Sequence, residues 1–210
     1  MRKHRSDFKF DLFELCVRVL LDQKPKSGAA VVYLVTNTRD NQRSVIDTAV
    51  QLWKQREVKR VWICDGTIDH GYPGFSDWRN SLVQQGIKTN SIEPMAVSGN
   101  LNTLSEAKHL VKRADLENLE NIFITSTPFH QLRSFITCVS IVIKSHSRLK
   151  IYNKTGTPLD WLRVVAHSQG SLTGSRSELI RTEYERIIKY YRQDDLLHPA
   201  EILKYLDERG

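Results

Sequence analysis

The sequence predicts an α/β protein with a three-layer Rossmann-like fold, in which helices cover both faces of a mainly parallel sheet of about five strands. Three observations predict it. Short apolar, β-branched runs alternate along the chain with longer stretches of helical period. Each of the main runs ends in a polar turn, at residues 36–40, 65–66, 98–102 and 126–127. Finally, 210 residues with 40% hydrophobic content suffice to bury one sizeable core, and no internal repeat, low-complexity tract or domain linker interrupts them. Residues 1–28 read as an N-terminal helix and linker packed on the domain, and residues 29–210 as a single α/β domain.

Residues 8–21 place Leu12, Leu15 and Val19 on one helical stripe, which predicts a helix that packs on the domain. A helix that lies on an anionic membrane or docks on a partner is the alternative. Pro25 and Gly28 break this pattern, and residues 29–35 form the first buried strand. From residue 41, Val45, Ile46, Ala49, Val50 and Trp53 recur at helical spacing. Residues 60–64 are the second strand, closed by Asp65 and Gly66. A loop containing His70 follows at 68–76, then a short helix at 78–85 ended by Gly86. Residues 92–97 are a weaker strand interrupted by Pro94. Thr103 and Glu106 read as a T-x-x-E capping box that opens the next helix. Residues 122–125 are a fully buried strand that runs into a helix at Pro128, with Thr127 as its cap. Residues 148–152 supply the fifth strand. Thr157 and Pro158 read as another cap and first-turn pair, so residues 159–167 are expected as helix. Ser175 and Glu178 form a second capping box, whose helix turns Leu179, Ile180, Tyr184, Ile187, Ile188 and Tyr191 inward. A short helix at 201–206 completes the pattern.

The formal charge is +7, with a pI near 9.4, which favours an anionic partner. Lys and Arg are nevertheless scattered, and only residues 1–5 look like a basic arm. No zinc-finger spacing or aromatic RNA-binding motif accompanies the charge, so specific nucleic-acid binding is not expected. Cys16, Cys64 and Cys138 lie far apart in apolar segments, which suits buried free thiols in a reducing compartment. Charges interrupt the run at 8–21, so it is neither a signal peptide nor a membrane span. The expected location is cytoplasmic.

In open α/β sheets ligands collect outside the carboxyl ends of the strands, where free helix N–H groups favour an anion. The strand-to-helix stretch 122–133 is the best candidate. His130 and Arg133 stand at i and i+3 in the first helical turn, so both can face one crevice. His130 is the candidate general acid/base and Glu106 its partner, although a packing histidine and a capping glutamate explain the same residues. Arg133 and Arg43 could balance the charge of a carboxylate or phosphate. Asn37, Asp65, Gly66, Asn102, Thr103 and Ser126 occupy the turns that would line the pocket. A G-x-G-x-x-G dinucleotide fingerprint is absent. Asp65 lies near Asp69 and His70, but no ligand spacing supports a metal there. Residues 166–171 have the outline of a hydrolase nucleophile elbow, yet Ala166 replaces its first glycine and too little chain follows to supply the partner acid and histidine.

With these turns laid out, the chain resembles the YdcF-like family, to which the SanA/ElyC-type envelope proteins belong. The resemblance covers residues 29–152, with a looser match to the Ser175 helix. Its carriers are the strand at 31–35 with Arg43 in the next helix, the Asp65-Gly66 turn, the segment 98–107 with Asn102, Thr103, Glu106 and Ala107, and the Thr-Ser-x-x-His-x-x-Arg pattern that Thr125, Ser126, His130 and Arg133 carry. Thr36-Asn37-Thr38 stands where the family usually has a glycine-containing turn, and Cys64-Asp65-Gly66 where it tends to read Ser-Gly-Gly. The resemblance implies a Rossmann-like fold and a small anionic or nucleotide-like ligand. S-adenosylmethionine and a phosphorylated or nucleotide-linked compound of envelope or glycan-precursor metabolism are the two candidates. It leaves open whether the chain hydrolyses or transfers a group on that ligand, or only senses it.

Overall fold

A computed structural model of the chain describes residues 7–26, 28–66, 68, 71–167 and 172–209. Five strands, β1 (Val31–Leu34), β2 (Arg60–Asp65), β3 (Ile92–Ala96), β4 (Asn121–Thr125) and β5 (Lys150–Asn153), pair in the order β3-β2-β1-β4-β5. All four pairings are parallel. This is the predicted three-layer Rossmann-like α/β fold. Central β1 and β4 are apolar runs because helices cover both of their faces. β3 accommodates Pro94 because it is an edge strand, with one side free of ladder partners.

Helices α2 (Gln42–Lys54) and α3 (Phe75–Gln84) pack together on one face. On the other lie α4 (Thr103–Leu116) and α5 (Pro128–Lys144), the latter packed against α1 (Phe8–Leu20), α6 (Arg176–Arg192) and α7 (Pro199–Arg209). The chain leaves β1 toward β2 on one side and returns to β4 on the other, so the order reverses between β1 and β4. That crevice is the topological switch point. α1 buries Leu12, Leu15 and Val19, as its stripe predicts, and Asp7 caps it by accepting from the N–H groups of Lys9 and Phe10 at 2.9 and 3.3 Å.

Several local expectations are corrected. Residues 159–167 are not helical: 164–166 form β6 (Val164–Ala166), which pairs antiparallel with β7 (Thr173–Ser175). Thr157 does not cap a helix: its carbonyl, which would accept the first intrahelical bond, instead accepts from Ser44 Oγ at 2.7 Å, while its N–H donates to the Ser44 carbonyl at 3.0 Å and the Thr48 hydroxyl at 2.9 Å. The capping box of α4 is Asn102 with Ser105; Thr103 already lies in the first turn, and Glu106 is freed for another task. In α6 the capping box Ser175–Glu178 is present, but Ile180 and Tyr184 face outward, while Arg176 and Glu183 share the inner face with Leu179 and Ile187. The last helix extends well beyond residues 201–206 at both ends. The basic arm 1–5, the pair Asp69 and His70, and residues 168–171 of the elbow-like motif lie outside the described residues.

Candidate functional site

The crevice at the switch point is covered by the chain itself. After β5, the Lys154 N–H donates to the Ile124 carbonyl at 3.0 Å and the Gly156 N–H to that of Ser126 at 2.8 Å. Only glycine fits at 156, because an added Cβ would stand 2.4 Å from both the Ser126 oxygen and Ser44 Oγ. Farther on, the Ala166 carbonyl accepts from Thr38 Oγ1 and Asn41 Nδ2, each at 3.2 Å. Arg176 clasps the same turn, donating to Asn41 Oδ1 at 2.9 Å and to the Asp40 carbonyl at 2.8 Å. A small apolar cluster of Phe129, Val165 and Leu179 completes the cover.

Under it lies a buried polar network built from α5, α4 and α6. Pro128 starts α5 straight after β4, which brings His130 and Arg133 to the sheet edge on one helical face. Arg133 Nη2 donates to His130 Nε2 at 2.8 Å. A guanidinium has no acceptor, so Nε2 carries no proton and Nδ1–H faces Ser126 Oγ at 3.1 Å. Burial, and after it the Arg133 charge, pushes the His130 pKa well below its ordinary value. His130 is therefore a neutral imidazole with both nitrogens engaged. Arg133 Nη1 donates to Thr103 Oγ1 at 3.0 Å, and Nε and Nη2 grip Glu183. Glu183 also accepts from His167 Nε2 at 2.5 Å and Arg186 Nη1 at 3.3 Å. Burial opposes the Glu183 charge, but the Arg133 charge foremost, with the hydrogen bonds from Arg133 and His167, outweighs it and holds the carboxyl far below its ordinary range. His167 is held neutral mainly by burial. Two guanidinium groups thus converge on one carboxylate.

Of the sequence candidates, Thr103, Ser126, His130 and Arg133 form one hydrogen-bonded chain. Asn37 joins its margin, accepting from Thr127 Oγ1 at 3.4 Å. Glu106 turns away from His130. Its Oε1 accepts from Tyr33 Oη at 2.5 Å and the Thr36 N–H at 3.0 Å, and its Oε2 from Thr36 Oγ1 at 2.8 Å. Burial, the largest influence, raises its pKa, although Arg133 and these hydrogen bonds counter it. Glu106 pins β1 to α4 and is not placed as a base for His130. Arg43 lies on the surface, its side chain 80% exposed and paired with Asp47. Asp65 is exposed, and Gly66 packs against Cys64 and the loop before α4. Reasoning from sequence missed Glu183, Arg186 and His167. The signal for Glu183 was its spacing from Leu179 and Ile187 on one helical face. Among the described residues, no cluster of His, Cys, Asp and Glu could hold a metal ion.

Beside the network opens a cavity of about 260 Å³. Asn102, Thr103 and Leu104 at the start of α4 line it, with Arg133, Tyr190 and Asp195. The capped N-terminus of α4 and the buried Arg133–Glu183 pair therefore meet at one opening.

No protein-family model matches the chain, and no curated protein matches it. Among solved structures the chain is similar to that of the universal stress protein from Archaeoglobus fulgidus in complex with dAMP. The identity is 15% and the TM-score 0.37, over 60% of this chain and 96% of that one. Among the described residues no helix is long and apolar enough to cross a membrane.

Proposed function

We propose that the chain is a ligand-binding α/β protein that takes the anionic end of a small, nucleotide-like molecule at the carboxyl edge of its sheet. The observation that carries this reading is the meeting of Arg133, Thr103 and the α4 N-terminus at one cavity, backed by a buried cluster in which two guanidinium groups share Glu183. At about 260 Å³ the cavity falls short of the roughly 300–1,000 Å³ of drug-sized sites, so it suits a phosphoryl or carboxylate group while the rest of the molecule lies outside. Asp195 adds a carboxylate that an amine or hydroxyl of the same ligand would meet. S-adenosylmethionine, suggested by the YdcF-like resemblance, carries both an amine and a carboxylate, and phosphorylated or nucleotide-linked compounds carry the anion alone. Binding is favoured over acid/base turnover because His130 is buried and neutral, with both ring nitrogens occupied.

The test is a thermal-shift screen of the purified protein against nucleotides, nucleotide sugars, S-adenosylmethionine and inorganic phosphate. A compound at a hundred times its dissociation constant adds about 2.7 kcal/mol of stability. Asn102→Asp keeps a good helix cap but sets a negative charge at the opening, so it should abolish the shift while leaving the unliganded midpoint nearly unchanged. No shift with any compound, or a shift that survives Asn102→Asp, would sink the assignment.

A further inference from the structure

α1 is apolar on two opposite sides. Leu12, Leu15 and Val19 face the domain, while Phe10, Phe13, Val17, Leu20 and Leu21 face out, with Phe10 64% and Phe13 68% exposed. A helix that is hydrophobic all round is ordinarily buried all round. The outward residues 10, 13, 17 and 20 follow the alternating three- and four-residue spacing of a coiled-coil seam, where they take the a and d positions. Lys9 and Glu14 then fall on opposite flanks of the seam, at g and e.

We propose that this stripe pairs with the α1 of a second copy of the chain, in parallel, about a two-fold axis running along the helices. In that arrangement each Lys9 lies against Glu14 of the other copy, the g-to-e′ contact that selects a parallel pair. An antiparallel pair would set Glu14 beside its own equivalent. The flank charges argue against a lipid surface: Lys9 on one flank is offset by Glu14 on the other, and Arg18 is already ion-paired with Glu14 at 3.5 Å and with Asp207 of α7 at 2.8 Å, which leaves little net positive charge for anionic headgroups. The interface is isologous, and α1 enters it already anchored to the domain, so the seam of about three turns need not be stable alone.

Sedimentation velocity of the full chain over a hundredfold concentration range tests this. A dimer that Phe13→Glu converts to monomer, with an unchanged circular dichroism spectrum, is expected. Lys9→Glu and Glu14→Lys should each weaken the dimer by about tenfold, and the two together should restore it. Because Phe13 is exposed, loss of the fold is not expected from its replacement; should it occur, the surface charge pair still decides. A monomer at every concentration would overturn the proposal, as would a dimer indifferent to Phe13→Glu. So would a monomer that binds phosphatidylserine vesicles through the same residues, since that result gives the stripe to lipid.

Discussion

His130 and His167 are held neutral in the folded chain, chiefly by burial, with pKa values below the ordinary 6.5. The unfolded chain binds protons first as the pH falls through 6.5. The stability they contribute is therefore complete above that pH and is lost below it, at up to about 1.4 kcal/mol per pH unit per histidine. Glu183 acts with the same sign lower down: its depressed carboxyl stabilises the fold above about pH 4.5 and stops doing so as the pH drops through its folded value. The thermal midpoint should fall between pH 7 and pH 5, and His167→Gln should flatten that dependence. An unchanged slope would show that His167 does not titrate with folding. At this scale the sequence was half legible. His130 and Arg133 stood out because Pro128 announces a helix start and i, i+3 spacing puts them on one face. Their partners did not, because Glu183 is 50 residues away from Arg133 and only the packing of α6 on α5 brings it there.

The elements of the sheet were legible because a buried parallel strand needs a continuous apolar run and its helices carry a 3.6-residue period. The connection from β5 to α6 was not, because tertiary hydrogen bonds shape it. Thr157 and Pro158 have the look of a helix start, yet the Thr157 carbonyl and N–H are both spent on α2. Likewise, nothing local distinguishes Asn102 from Thr103 as the cap of α4; the Ser105 hydroxyl decides, by accepting from the Asn102 N–H at 3.1 Å. Gly156 was just another loop glycine in the sequence. In the fold it lets the chain cross the β1–β4 crevice in contact with the Ser126 carbonyl. Gly156→Ala must push backbone apart there, and an overpacking cost of about 1–3 kcal/mol is expected in urea unfolding. A cost below about 0.5 kcal/mol would mean that the crossing strap moves aside easily.

Over the whole molecule, the five-stranded sheet and the cover above its carboxyl edge differ in what holds them. The sheet rests on a continuous apolar core, whereas the β6–β7 hairpin rests on three apolar residues, the Arg176 clasp and hydrogen bonds from Thr38 and Asn41. Segments with few buried apolar contacts open at lower free energy than the core. Native-state hydrogen exchange should therefore find the hairpin amides exchanging well before those of β1 and β4, and uniform protection would contradict this division. The same division has a consequence for synthesis. All five strands have left the ribosome once Asn153 is free, but the carboxylate that neutralises Arg133 belongs to a helix made later. At 5–20 residues per second, the 50 residues between Arg133 and Glu183 take roughly 2.5–10 s to translate. During that interval a nascent chain can complete its sheet while the Arg133 guanidinium still waits for its counter-ion, so maturation of the site trails maturation of the fold.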